Sequence, residues 1–296
     1  MKLSEAVRGV SGTLAADGEF SCIAFATEQE QSQFLTFLEK EKFLPALDNS
    51  KISCVLTTSA LAEKIPPHIK GVFLCDRPKA ALFEIHNRLA RHPDYVGASA
   101  ATVVGEGCSI SPLAAIDREN VVIGDRVTIE PFVVIKGRVI IGNDVTIRSG
   151  AVIGCKGFSF SKDAQGQNVS VEDTARIIIE DHVEIFEQVA ISTGIFPWEE
   201  TRIGENTKVD AQCHIGHGAH IGRNCLLAEG SRCCGNSRVG DHVWAIVSNR
   251  VRVGDGARVS LGSVVTKEVP AGQTVSGNFA IDHQKFLSNL KKSLEE

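Results

Sequence analysis

Residues Ile203 to Gly240 read IGENTK VDAQCH IGHGAH IGRNCL LAEGSR CCGNSR VG, a chain of six-residue steps. The steps open on Ile203, Val209, Ile215, Ile221, Leu227, Cys233 and Val239, usually followed by a small or acidic residue. Four places after each opening stands a small or β-branched residue: Thr207, Cys213, Ala219, Cys225, Ser231, Ser237, Val243. A period of six fits neither an amphipathic helix nor an alternating strand. It suits one short strand plus a turn, with one large and one small side chain pointing inward. Three such sides close a triangular coil. Coils stacked at a strand spacing of about 4.8 Å bury a continuous aliphatic core. The stretch predicts a parallel β-helix.

Working outward, the step begins near Val104-Gly105 and Ile110. After a one-residue slip it runs through Ile123, Ile129, Ile135, Ile141, Ile147 and Ile153. The next aliphatic opening is Ile179, so residues 155–175 must leave the prism as a loop, which carries Phe158 and Phe160. Exposed aromatic residues on a loop point to a contact surface. Ile179, Ile185 and Ile191 restore the rhythm, and Phe196-Pro197-Trp198-Glu199-Glu200 bulges without losing phase. A second break separates Val239 from Val253, after which Val253, Val259 and Val265 finish the prism.

Residues 1–97 lack the step. Ser21–Phe25, Ile52–Leu56 and Val72–Cys75 read as buried strands, Gln31–Leu47 as helical at least in part, and Pro78–Arg91 as a helix. Such alternation indicates a small α/β domain. The expected organisation is an α/β domain at 1–97, a β-helix at 98–280 containing the loop 155–175, and a terminal helix at 281–296. Asp282 is the expected N-cap of that helix, and Phe286, Leu287, Leu290 and Leu294 form its apolar stripe. One helix buries such a stripe only against a neighbour, which favours an oligomer.

Composition narrows the function. Aromatic residues are only 6% of a chain that is 43% hydrophobic, as a narrow aliphatic prism requires. The formal net charge of −5 gives no sign of a nucleic-acid binder. Nine cysteines, several at inward positions and none in a CxxC pair, suit reduced thiols rather than disulfides or a metal site. With no apolar run of membrane-spanning length and no signal-like start, a cytoplasmic protein without a transmembrane segment is expected.

Three segments carry a resemblance to a known family. They are Ile153-Gly154-Cys155-Lys156-Gly157-Phe158-Ser159-Phe160, the run Val209 to His217, and the run Leu35 to Phe43. With the repeat, they resemble the hexapeptide-repeat acyltransferases, and among these the UDP-3-O-acylglucosamine N-acyltransferases of lipid A biosynthesis. The resemblance implies a left-handed β-helix and a homotrimer with active sites between prisms. It also implies transfer of a 3-hydroxyacyl group from acyl carrier protein to the amine of a UDP-linked 3-O-acylglucosamine. No cofactor would be permanently bound; the donor is an acyl-phosphopantetheine on acyl carrier protein or CoA. An amine attacking a thioester must lose a proton, and imidazole, with a pKa near 6.5, takes it well at neutrality. Among His214, His217 and His220 the family pattern selects His217 as base and Asp210 as its orienting carboxylate. One coil later, Gly235 would offer its N–H to the thioester oxygen. Phe37 and Phe43 would flank uracil, with Lys40 where the family has Asn. Phe158, Phe160 and Arg250 complete the expected substrate contacts, Arg250 standing where the family has a second His. Basic residues Lys285, Lys291, Lys292, Arg250 and Arg252 are the expected landing site for the acidic carrier protein.

Other readings compete. Arg250 and the short coil around 240–253 favour a relative that acylates another nucleotide-linked amino sugar from acyl-CoA. A non-catalytic β-helical scaffold would need none of Asp210, His217 and Gly235. A γ-type carbonic anhydrase would need histidines from neighbouring coils, whereas His214, His217 and His220 share one.

Overall fold

A computed structural model describes the chain except residues 164, 244–249, 261–262, 278–281 and 296, and the side chains of 286 and 293–295. The chain divides into two units. The first holds Met1–Ala101 with the excursions Lys156–Arg176 and Thr193–Glu199; the second holds Thr102–Cys155, Ile177–Ser192 and Glu200–Glu296.

In the first unit a short helix α1 (Leu3–Ala6) precedes strands β1 (Thr13–Ala16), β2 (Cys22–Ile23), β3 (Phe34–Leu38), β4 (Ile52–Thr57) and β5 (Gly71–Leu74). They form one sheet in the order β1-β5-β4-β3-β2, parallel except for β1. The reading of Gln31–Leu47 as helical in part holds for its second half, a 3₁₀ helix at Glu41–Asp48, whereas its first half is the strand β3. β3 is a central strand with four of its five residues buried, so its run Phe-Leu-Thr-Phe-Leu carries no alternation to read. Helix α2 (Pro78–Leu89) opens with Pro at its first position and buries Ala81, Leu82, Ile85 and Leu89.

The loop expected within the β-helix domain packs instead with this sheet unit. Its hairpin pairs Phe160–Lys162 with Asn168–Ser170. Arg77 donates to the Lys162 carbonyl at 2.8 Å and Asn87 to the Ser170 carbonyl at 2.8 Å. These carbonyls are satisfied by the side chain that precedes α2 and by one on the helix itself. The second excursion behaves likewise: Phe196 is fully buried, stacks on Trp198 at 5.8 Å, and Trp198 Nε1 donates to the Ile23 carbonyl at 2.9 Å.

The second unit is a parallel β-helix of three ladders. Register follows the repeat: Val209 pairs with Leu227, Ile215 with Cys233 and Ile221 with Val239, one coil apart. The inward aliphatic residues make one continuous core. At roughly 1.5–3 kcal/mol for each fully buried side chain, this row is the main source of the unit's stability. Small inward residues also bond across coils. Cys213 donates its thiol to the Ala228 carbonyl and Cys225 to that of Gly240, each at 3.1 Å.

Most corners are built by one residue in the left-handed region, three places after the aliphatic opening. Arg126, Phe132, Asp144, Gln212, Asn224 and Asn236 all have φ between 55° and 64°. Side chains other than Gly accept that conformation at a cost, here offset by ladder hydrogen bonds on both sides. The irregular coil closes in fourteen residues, since Val239 pairs with Val253; its Trp244–Asn249 segment lies outside the described residues. The terminal helix runs His283–Glu295, with Asp282 Oδ1 accepting the N–H groups of Gln284 and Lys285 at 3.1 and 3.2 Å. Leu287 and Leu290 are exposed, while the side chains of Phe286 and Leu294 lie outside the described residues. Among the described residues no helix is long and apolar enough to cross a membrane.

Candidate active site

His217 stands two places after the inward Ile215, at the corner leaving strand His214–Ile215. Its counterpart one coil later is Gly235. The imidazole lies against that glycine: a Cβ placed on Gly235 would fall 2.4 Å from His217 Nε2 and 2.8 Å from Cδ2 and Cε1. Only a residue without a side chain leaves the ring this seat. The His217 carbonyl accepts the Asn236 N–H at 2.8 Å, which ties the corner to the coil above. The Gly218 N–H donates to Thr201 Oγ1 at 2.9 Å, and the Gly218 carbonyl accepts from Arg238 at 2.7 Å. The His217 backbone is held from both sides.

The imidazole is half-buried, and its pKa lies below the ordinary value of 6.5. Burial is the largest cause, followed by the positive charges of Arg250 and His214. His214 and His220 are lowered as well, chiefly by burial and then by Arg232 and Arg238, which are their register partners in the next coil. Neutral imidazole is therefore the favoured form at this corner near neutrality, which is the form a base requires. Arg250 is exposed, donates its backbone N–H to the Gly235 carbonyl at 3.1 Å, and acts on His217 by charge.

Asp210 occupies a different corner, at the end of strand Lys208–Val209. It is exposed, and its Oδ1 accepts the Ala211 N–H at 2.8 Å. Among the described residues of one chain, the groups whose charges act on His217 are Arg250 and His214, not Asp210. The structure thus brings His217, Gly235 and Arg250 together and leaves Asp210 one side of the prism away.

The expected nucleotide contacts belong to the first unit. Phe43 is 55% exposed beside the Lys42 ammonium, which lies 4.9 Å from its ring centre. Phe37 is half-buried on β3, edge-on to Phe25 at 6.4 Å. Lys40 is exposed and its carbonyl accepts the Phe43 N–H at 3.0 Å. Phe158 is 96% exposed and meets Phe160 edge to face at 5.1 Å. A pair so open to water is not part of the core. Among the described residues no group of three His, Cys, Asp or Glu side chains could hold a metal ion.

Sequence reasoning missed Thr201. It is fully buried with its hydroxyl on the peptide next to His217. As one more small residue at an inward position, it gives no signal in the sequence.

Comparison with known proteins adds the following. The family model for the bacterial transferase hexapeptide (six repeats) matches residues 120–155 and 200–235. The chain is 35% identical to the UDP-3-O-acylglucosamine N-acyltransferase of Caulobacter sp. (strain K31) over 48% of its own length and 42% of that protein. With the enzyme of the same name from Helicobacter hepaticus it shares 29% identity over 97% of this chain and 94% of that one. The chain thus spans less than half the length of the first relative and nearly all of the second. Among solved structures, the UDP-N-acetylglucosamine acyltransferase from Campylobacter jejuni superposes with a TM-score of 0.53 at 20% identity, covering 66% of this chain and 79% of that one. The repeat and this superposition identify the prism as a left-handed parallel β-helix.

Proposed function

The chain belongs to the hexapeptide-repeat acyltransferases, and on that basis we propose that it transfers a 3-hydroxyacyl group from acyl carrier protein to the amine of a UDP-linked 3-O-acylglucosamine. The observation that carries the reading is the seat of His217 against Gly235 on consecutive coils. The relatives named for this reaction support the choice of substrate.

The amine nitrogen attacks the thioester carbonyl and His217 removes its proton. Charge then develops on the carbonyl oxygen, where the Gly235 N–H is the proposed donor. Collapse forms the amide and expels the phosphopantetheine thiolate, which takes the proton back from the imidazolium. The lowered pKa of His217 keeps the base unprotonated when substrate arrives. Phe37 and Phe43 are the proposed uracil contacts, with Lys40 reaching a carbonyl or phosphate oxygen. Phe158 and Phe160 are proposed to meet substrate through their exposed rings. A homotrimer would let the Asp210 corner of one prism face the His217 corner of another, which would give Asp210 its expected orienting role. The exposed Lys285, Lys291, Lys292 and Arg252 form the proposed docking surface for the acidic carrier.

Arg250 beside His217, together with the fourteen-residue coil, favours a second reading: acyl-CoA-dependent N-acylation of another nucleotide-linked amino sugar. Mass spectrometry of products formed from a panel of UDP-amino sugars with acyl-carrier-protein and acyl-CoA donors decides between them. Steep loss of turnover with rising salt, confined to the protein donor, supports the first reading. Equal rates from acyl-CoA, unaffected by Lys291→Glu and Lys292→Glu, support the second.

A further inference from the structure

The regular corners of the prism share one hydrogen bond. The left-handed residue donates its N–H to a backbone carbonyl of the preceding coil: Asp144 to Asp125, Asn206 to Asp181, Gln212 to Glu187, Asn236 to His217. Gly218, with φ of 65°, occupies that place at the His217 corner and departs from this rule, as does exposed Gly137, whose N–H goes to Asp117 Oδ2 at 2.8 Å. The Gly218 N–H goes to a buried side chain, Thr201 Oγ1, at 2.9 Å.

The cause is the second excursion. The preceding coil leaves the prism after Ser192 and returns at Glu200, so the carbonyl that should lie beneath Gly218 is missing. Thr201 fills the gap. It is fully buried, accepts from Gly218, and donates its own proton to the Ser192 carbonyl at 2.8 Å. One hydroxyl therefore joins the point where the chain departs to the peptide that follows His217. Thr207 marks the ordinary use of an interior hydroxyl for comparison. It accepts from the Cys225 N–H at 3.0 Å and donates to the Gly222 carbonyl at 2.8 Å, on either side of the Asn224 corner, while the Asn224 N–H itself keeps its backbone acceptor, the Glu205 carbonyl at 2.9 Å.

We propose that Thr201 is a positioning residue for His217: its hydroxyl replaces the missing corner hydrogen bond and fixes the His217–Gly218 peptide so that the imidazole stays against Gly235. The inference rests on His217 being the base of the proposed acyl transfer. Without the hydroxyl two buried backbone groups lose their partners, and the corner can shift to recover them. A shift of about 1 Å at a reacting group costs on the order of 100-fold in rate.

The test compares Thr201→Val, which keeps the shape and removes the hydroxyl, with Thr201→Ser, which keeps the hydroxyl. Both are assayed as full-length chains with UDP-3-O-acylglucosamine and 3-hydroxyacyl-acyl carrier protein, and hydrogen exchange of the Gly218 amide is followed in parallel. Thr201→Val should lower kcat by about 10- to 100-fold with KM within about twofold, and should expose the Gly218 amide while the prism core keeps its protection. Thr201→Ser should restore both. If Thr201→Val does not fold, Thr201→Ala against Thr201→Ser gives the same comparison. A wild-type kcat in Thr201→Val alongside an inactive His217→Ala overturns this inference alone; a wild-type rate in His217→Ala overturns both. Thr201→Ser as impaired as Thr201→Val also overturns it, because the hydroxyl would then not be the operative group.

Discussion

Replacing Gly235 with Ala probes the contact on which the site is built. The new methyl carbon would stand 2.4 Å from His217 Nε2 and 2.8 Å from Cδ2 and Cε1. Ordinary contact needs about 3.4 Å or more, so the ring must retreat by about 1 Å. Gly235 is not among the positive-φ residues, so its backbone accepts a side chain without strain. The imidazole is the free end of a side chain and can swing, which keeps the stability cost small. Activity has no such escape. Misplacing the base by about 1 Å should lower kcat on the order of 100-fold, or about 2.7 kcal/mol of barrier. The assay is steady-state amide formation from UDP-3-O-acylglucosamine with acyl carrier protein donor, alongside a thermal melt. An Ala variant with wild-type kcat would refute the reasoning. So would one that loses activity only in proportion to unfolding.

Arg250→Ala removes a positive charge from beside His217, so the histidine pKa should rise toward its ordinary 6.5. The acid limb of kcat/KM, which reports the protonation of the free base, should then move to higher pH; an unchanged limb rules out the charge effect. Phe43→Ala should raise KM for the sugar nucleotide several-fold and leave the melting temperature unchanged, because the ring is already 55% exposed. Phe37→Ala should cost stability, since that ring packs into the sheet core. Losing Phe158 and Phe160 together should change stability by no more than about 0.5 kcal/mol and still reduce catalytic efficiency. Unaltered efficiency would remove the pair from the substrate contacts.

The prism was readable in the sequence because each inward position recurs at a fixed six-residue distance, and three sides close whatever lies between them. Counting also located the departures, at Ile153 to Ile179 and Val239 to Val253. It could not tell where the excursions pack. Their partners are carbonyls and aromatic rings of the first unit, such as the Trp198 bond to Ile23, 175 positions away. β3 was misread because a strand buried on both faces has no period. The separation of Asp210 from His217 follows from the geometry of the repeat, since seven residues span a full side of the prism. Thr201 left no trace because its importance comes from a carbonyl missing in space, whereas its sequence position is that of any small inward residue.

The most direct measurement of the central claim is the single-turnover rate of amide formation by His217→Ala, read by mass spectrometry of the sugar product. Imidazole acting as base predicts a fall of at least about 100-fold, with the variant still folded and still binding the sugar nucleotide. Amide product formed at the wild-type rate would contradict the assignment of His217, and with it the catalytic reading of the corner formed by His217 and Gly235.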